Sequence, residues 1–81
     1  MTVHVDSPRW RLGRMIMCHM MSDDLEELHA MAERIGVARR HFQGDHYDIC
    51  KAKRALAVKH GAVESEPRTM IAIRRRLRDG T

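Results

Sequence analysis

Asp6, His19, His46 and Asp48 carry the imidazole and carboxylate groups from which proton transfer, anion binding and metal ligation are built. Tyr47, Lys51 and Arg54 stand close to the last two in sequence and add a phenol, an ammonium and a guanidinium. Lys51 and Arg54 near a helix start would favour an anion, because unpaired backbone N–H groups and positive charge act together there. Asp6, His19, His46 and Asp48 are also ligands of the kinds zinc and manganese take. No Cys-x-x-Cys or His-Glu-x-x-His spacing joins them, so the sequence by itself assigns no metal ligand and names no cofactor. Glu26-Glu27-Leu28-His29 holds one Glu-x-x-His, whereas di-iron bundles need two on facing helices; a polar helix flank explains it. Cys50, near a helix start with His46 upstream, is the one nucleophile to weigh, and a small buried filler is its commoner role. Gly-rich phosphate loops, Gly-x-Ser-x-Gly elbows and dinucleotide fingerprints are missing from the sequence.

The elements that must position these groups follow from periodicity. Thr2 to Asp6 alternates, with Val3 and Val5 on one face, and predicts a strand. Ser7 to Gly13, around Pro8 and Trp10, predicts a loop, and Met15 to Met21 a strand buried on both faces. Asp23 with Glu26 predicts a capping box, followed by a helix through Leu25, Leu28, Ala32 and Ile35 that stops at Gly36. Val37 to Phe42 predicts a short third strand, and Gln43-Gly44-Asp45 a turn. Asp48 is then the N-cap of a second helix bearing Ile49, Ala52, Leu56 and Val58 and ending at Gly61. Ala62 to Glu64 is a brief strand, and Pro67 opens a third helix with Met70, Ile73 and Leu77 as its buried seam. The expected fold is therefore α/β: one small domain over residues 1–81, its core at about 2–78, with a short, mainly parallel sheet of three to four strands and about three helices. In such sheets ligands bind beyond the carboxyl ends of strands. That rule would gather Asp6, His19, His46, Tyr47 and Asp48, with Lys51 and Arg54 beside them.

Composition narrows the classes. The 81 residues carry 15 Lys/Arg against 11 Asp/Glu, a net charge of +4, which permits a polyanionic partner without demanding one. Arg68, Arg74, Arg75, Arg76 and Arg78 concentrate that charge near the C-terminus and are the chief nucleic-acid candidates. Trp10, Phe42 and Tyr47 are too few for a base-stacking platform. Two cysteines without a secretory leader point to a reducing cytoplasm, and no apolar run suits a membrane span. Met15, Met17, Met20 and Met21 suit a core or an adaptable partner surface. A core this small has little reserve, so homo-oligomerisation is an expectation.

Thr2-Val3-His4-Val5-Asp6, Cys18-His19-Met20, Glu27-Leu28-His29-Ala30, His46-Tyr47-Asp48-Ile49 and Lys53-Arg54-Ala55-Leu56-Ala57-Val58 with Gly61-Ala62 form one pattern. It resembles the small bacterial and bacteriophage domain of unknown function catalogued as number 4031, over roughly Thr2 to Val63. The resemblance implies a compact α/β domain and no agreed activity. It matches His19, His46, Tyr47, Asp48 and Arg54, and departs where members often carry an aromatic (here His4, Met17 and His41) or a second acid (here Ser7).

The leading expectation is a domain that binds a phosphate-bearing ligand, a nucleotide or nucleic acid, through His46, Tyr47, Lys51 and Arg54. Asp6 and His19 would orient the ligand or hold a metal. Two alternatives stay open: a metal-dependent nuclease or phosphohydrolase, and a non-enzymatic, phage-encoded interaction module with a protein partner.

Overall fold

A seven-residue strand organises the molecule. The computed structural model describes residues 2–79. Its elements are β1 (His4–Val5), β2 (Trp10–Leu12), β3 (Met15–Met21), α1 (Leu25–Arg34), a short 3-10 helix at Arg39–His41, β4 (Tyr47–Cys50), α2 (Lys51–Lys59), β5 (Val63–Glu64) and α3 (Pro67–Asp79). Strand β3 is central. Met17 pairs with both Trp10 and Cys50, and Met20 with both Val5 and Tyr47. Hence β4 lies along one edge of β3, while β1 and β2 lie end to end along the other. β5 extends the sheet beside β1.

The sheet is mixed, which corrects the expectation of a mainly parallel one. Among the described residues only β1 and β5 run parallel; β3 is antiparallel to β1, β2 and β4. Two connections cause this. Ser7 to Gly13 contains β2, and Gly13 (φ 61°) turns it straight back into β3 as a hairpin. A glycine with positive φ at the first central position is what a type II′ turn requires. After α1, residues 35–46 carry the chain back to the end of β3 that α1 had left, so β4 starts opposite Met20. Val37 to Phe42, expected as a strand, is part of this return. It forms the 3-10 helix, and Phe42 makes a single bridge to Tyr47.

Helix α1 begins one residue later than expected. Asp24, not Asp23, is the N-cap: its Oδ1 accepts from the backbone N–H of Glu26 (3.0 Å) and Glu27 (3.3 Å). It ends as expected at Gly36 (φ 82°), where Gly36 N–H donates to Glu33 O and Val37 N–H to Ala32 O, a Schellman motif. The same pair of bonds closes α2, from Gly61 to Val58 and from Ala62 to Ala57.

One sheet face carries Val5, Cys18, Met20, Tyr47 and Ile49, which pack with Leu28, Ala32 and Ile35 of the α1 region and with Ala57 of α2. α3 covers part of the other face through Met21, Met70, Ile73 and Leu77. Met15 and Ile16 are exposed, so β3 is buried on both faces only from Met17 onward. Among the described residues no helix is long and apolar enough to cross a membrane.

Candidate functional site

The gap between β1 and β2 creates the site. Asp6 to Arg9, four residues, span the stretch that Cys18 and His19 cover on β3, so the edge bulges outward. Pro8, which has no N–H to pair, suits such an interruption. Asp6 N–H still donates to His19 O (3.2 Å), and Arg9 N–H to Met17 O (2.9 Å). The Asp6 carboxylate, 1% exposed, turns onto β3. It accepts from His19 N–H at Oδ1 and from His19 Nδ1 at Oδ2, both at 2.7 Å. A buried carboxylate needs such partners, since an unpaired buried charge is strongly unfavourable. The Arg9 guanidinium stands 3.9 Å from Oδ2.

Strand pairing supplies the other half. His19 lies directly across from Asp48, and side chains directly across antiparallel strands share a face. The His46 ring lies 5.3 Å from the His19 ring and edge-on to it. Asp45 fixes its orientation: His46 Nδ1 donates to Asp45 Oδ1 at 2.5 Å. Asp45 is held in turn by Arg74 of α3, whose Nε donates to Oδ2 at 2.9 Å. Burial would raise the Asp45 pKa, but hydrogen bonds from His46 and Arg74, with their charges, outweigh it and hold the carboxyl below its ordinary value.

With each Nδ1 bound to a carboxylate, the nitrogen left free on both histidines is Nε2. His46 Nε2 stands 3.3 Å from Asp48 Oδ1, without the angles of a hydrogen bond, and this buried oxygen has no hydrogen-bond partner. Asp48 is steadied through its other oxygen, which accepts from Gln43 Nε2 at 2.8 Å. A ligand atom from each of His19, His46 and Asp48 lies within 4.8 Å of the others. Two atoms bound to a tetrahedral zinc at about 2.05 Å stand about 3.3 Å apart, the His46–Asp48 separation. Histidine ligands to metals characteristically donate their other ring N–H to a carboxylate, and here both do. The residues fit a divalent metal with nitrogen and oxygen ligands, zinc or manganese.

A cavity of about 140 Å³ opens beside the cluster. Asp6, His19 and His46 line it with Arg9, Arg74 and the apolar α3 residues Pro67, Met70 and Ile71. Trp10 borders the cluster, its ring 4.7 Å from that of His19.

Of the seven residues the sequence singled out, the structure brings Asp6, His19, His46 and Asp48 together. Tyr47 is fully buried on the opposite face, where its hydroxyl meets His29 Nδ1 at 2.7 Å. Lys51 is exposed at the start of α2 and does not line the cavity. Arg54 ties the sheet edge together, donating from Nε to Asp6 O (2.7 Å) and from an Nη to Glu64 (3.0 Å). Asp48 is not a helix cap. It is a β4 residue, and α2 starts at Lys51 behind Cys50 with no side-chain cap. The site therefore lies on a sheet face and not at a strand-to-helix edge. Arg9 and Asp45 escaped the sequence reading, and Arg74 entered it only among the C-terminal nucleic-acid candidates, because Arg9 acts through Asp6, Asp45 through His46, and Arg74 from 29 residues away. The one signal was Asp45 beside His46.

Cys18 is no nucleophile: burial first, then the Asp6 charge, pushes its thiol up to about 12.

No curated protein and no solved structure matches the chain. A family profile matches residues 3–77, and the chain belongs to that family, described as protein of unknown function (DUF4031).

Proposed function

We propose that this domain binds a divalent metal through His19, His46 and Asp48 and uses it to bind and hydrolyse a phosphate ester. One observation carries the reading. His46 Nε2 and the unpartnered Asp48 oxygen stand 3.3 Å apart without a hydrogen bond, an arrangement of two acceptors that a cation between them would relieve. His19, His46 and Asp48 would hold the ion, and a zinc there would supply a bound water acidified toward a pKa of about 7.

The remaining parts have ordinary roles. Asp6 and Asp45 hold the two imidazoles in the tautomer that presents Nε2. Arg9 and Arg74 line the cavity and keep further N–H groups for phosphate oxygens, since a guanidinium has five donors. Binding of a phosphate-bearing ligand, expected from the sequence through His46, Tyr47, Lys51 and Arg54, is better served by Arg9 and Arg74 beside His46.

The test uses the single tryptophan, Trp10, next to His19. Titration with zinc, manganese and cobalt should change its fluorescence saturably in the wild type and not in His46→Ala. Release of nitrophenolate from bis(p-nitrophenyl) phosphate should require the metal and stop on chelation. Absence of uptake of all three metals overturns the proposal. Uptake without turnover overturns its hydrolytic half.

A further inference from the structure

The cavity admits little more than one phosphate group, yet α3, which forms its wall, continues past it with unused positive charge. Pro67, Met70, Ile71 and Arg74 face the cavity. Two of the helix's arginines are engaged: Arg74 with Asp45 and Arg76 with Asp23 (3.6 Å). These bonds hold α3 to the body. Arg68, Arg75 and Arg78 are exposed and, among the described residues, make no ion pair.

Their spacing puts them on one side of the helix. Arg75 lies seven residues beyond Arg68, and Arg78 three beyond Arg75. Arg68, Ile71, Ala72, Arg75 and Arg76 line one shallow groove. Ile71 borders both this groove and the metal-side cavity, so the two surfaces are continuous. From Arg68 to Arg78 the helix advances about 15 Å, at about 1.5 Å per residue. A single phosphate or free nucleotide in the cavity would leave most of that stripe unused. Like charges three residues apart on a helix repel one another, and a row of phosphates removes the repulsion. Of the three aromatics, Tyr47 is buried, leaving no platform on which several bases could stack.

We infer that the ligand is a nucleic acid strand, held by its phosphates along Arg68, Arg75 and Arg78, with one phosphodiester delivered to the cavity between Arg9 and Arg74. This rests on the phosphate-ester reading for what happens at the cavity, while strand binding by the stripe is independent of it. Recognition is through the backbone and is indifferent to base sequence.

The experiment is fluorescence anisotropy of labelled oligonucleotides, in chelator, across a salt series. Wild type should bind oligonucleotides of unrelated sequence with similar affinity. The slope of log K against log salt should flatten by about 0.7–0.9 for each stripe arginine replaced by alanine, about 2–3 for the triple variant. The triple lysine variant should retain the slope, and circular dichroism melting checks that each variant folds. An unchanged slope in the triple alanine variant overturns the inference, as does binding to anionic vesicles without binding to oligonucleotides. Small-ester hydrolysis without oligonucleotide binding defeats this inference alone. Arginine-dependent oligonucleotide binding without metal uptake defeats the metal reading alone.

Discussion

His46 Nε2 and Asp48 Oδ1 stand 3.3 Å apart without a hydrogen bond between them, although both residues are otherwise firmly held. Asp45 fixes the imidazole and Gln43 the carboxylate, so neither group is free to turn away. The pair therefore keeps its 3.3 Å separation with the Asp48 oxygen unpartnered, the feature on which the proposed metal site rests.

Saturating zinc should raise the melting temperature. A hundredfold excess over Kd adds about 2.7 kcal/mol, or about 11–22 °C for a domain of this size. Asp48→Asn should abolish that shift while leaving the metal-free melting temperature unchanged or higher, because the amide can donate to His46 Nε2. A markedly less stable metal-free variant would show that the orphaned oxygen is not a source of strain. Differential scanning fluorimetry with and without chelator reads both quantities.

Asp6→Asn keeps the shape of the buried side chain and removes its charge. It should cost about 1.5–3 kcal/mol of stability, the worth of a hydrogen bond to a charged group. Metal affinity should fall about 10–100-fold through loss of the His19 orientation. Denaturant melts and calorimetric metal titration measure the two effects, and unaltered metal affinity would remove Asp6 from the site.

Stability should fall on acidification below neutral pH in a way that depends on His29. Burial first, then the Arg39 charge, holds the His29 pKa below 6.5. Between the folded value and the unfolded one, near 6.5, the unfolded chain carries a proton that the folded chain does not. This contribution is therefore present above about pH 6.5 and is lost as pH falls toward the lower, folded value. The physical event is protonation of the imidazole that shares a hydrogen bond with the Tyr47 hydroxyl. Melts on both sides of about pH 6.5, in chelator, should show a smaller decline in His29→Gln than in the wild type. Equal declines would assign the effect elsewhere.

The two cysteines should differ sharply toward a thiol reagent. Cys18 is fully buried with its thiol pushed up to about 12, whereas Cys50 is partly exposed. At mildly alkaline pH the native protein should react at Cys50 and release the Cys18 thiol only on unfolding. Mass spectrometry of the labelled chain identifies the site, and rapid native labelling of Cys18 would contradict the buried core assignment.

The sequence by itself determined the elements whose signals are local. Gly36 and Gly61 end helices because the Schellman turn needs a positive φ, and the run of apolar residues from Met17 to Met21, broken only by His19, suits a central strand. Pro67 opens α3, and Met70, Ile73 and Leu77 recur on its inner side. The same local reasoning marked Asp6, His19, His46 and Asp48 as residues with chemistry to perform. It misjudged Asp48, because a carboxylate before an apolar helical stripe looks the same whether it caps that helix or pairs across a sheet. Only the tertiary structure decided the sheet's direction, since residues 35–46 carry no local signal of where they return the chain. That return sets His19 across from Asp48, sends Tyr47 to the opposite face, and brings Arg74 over Asp45 from 29 residues away. Ligand geometry of this kind follows from strand register and helix docking, which depend on contacts between distant residues and are written in no single stretch of the chain.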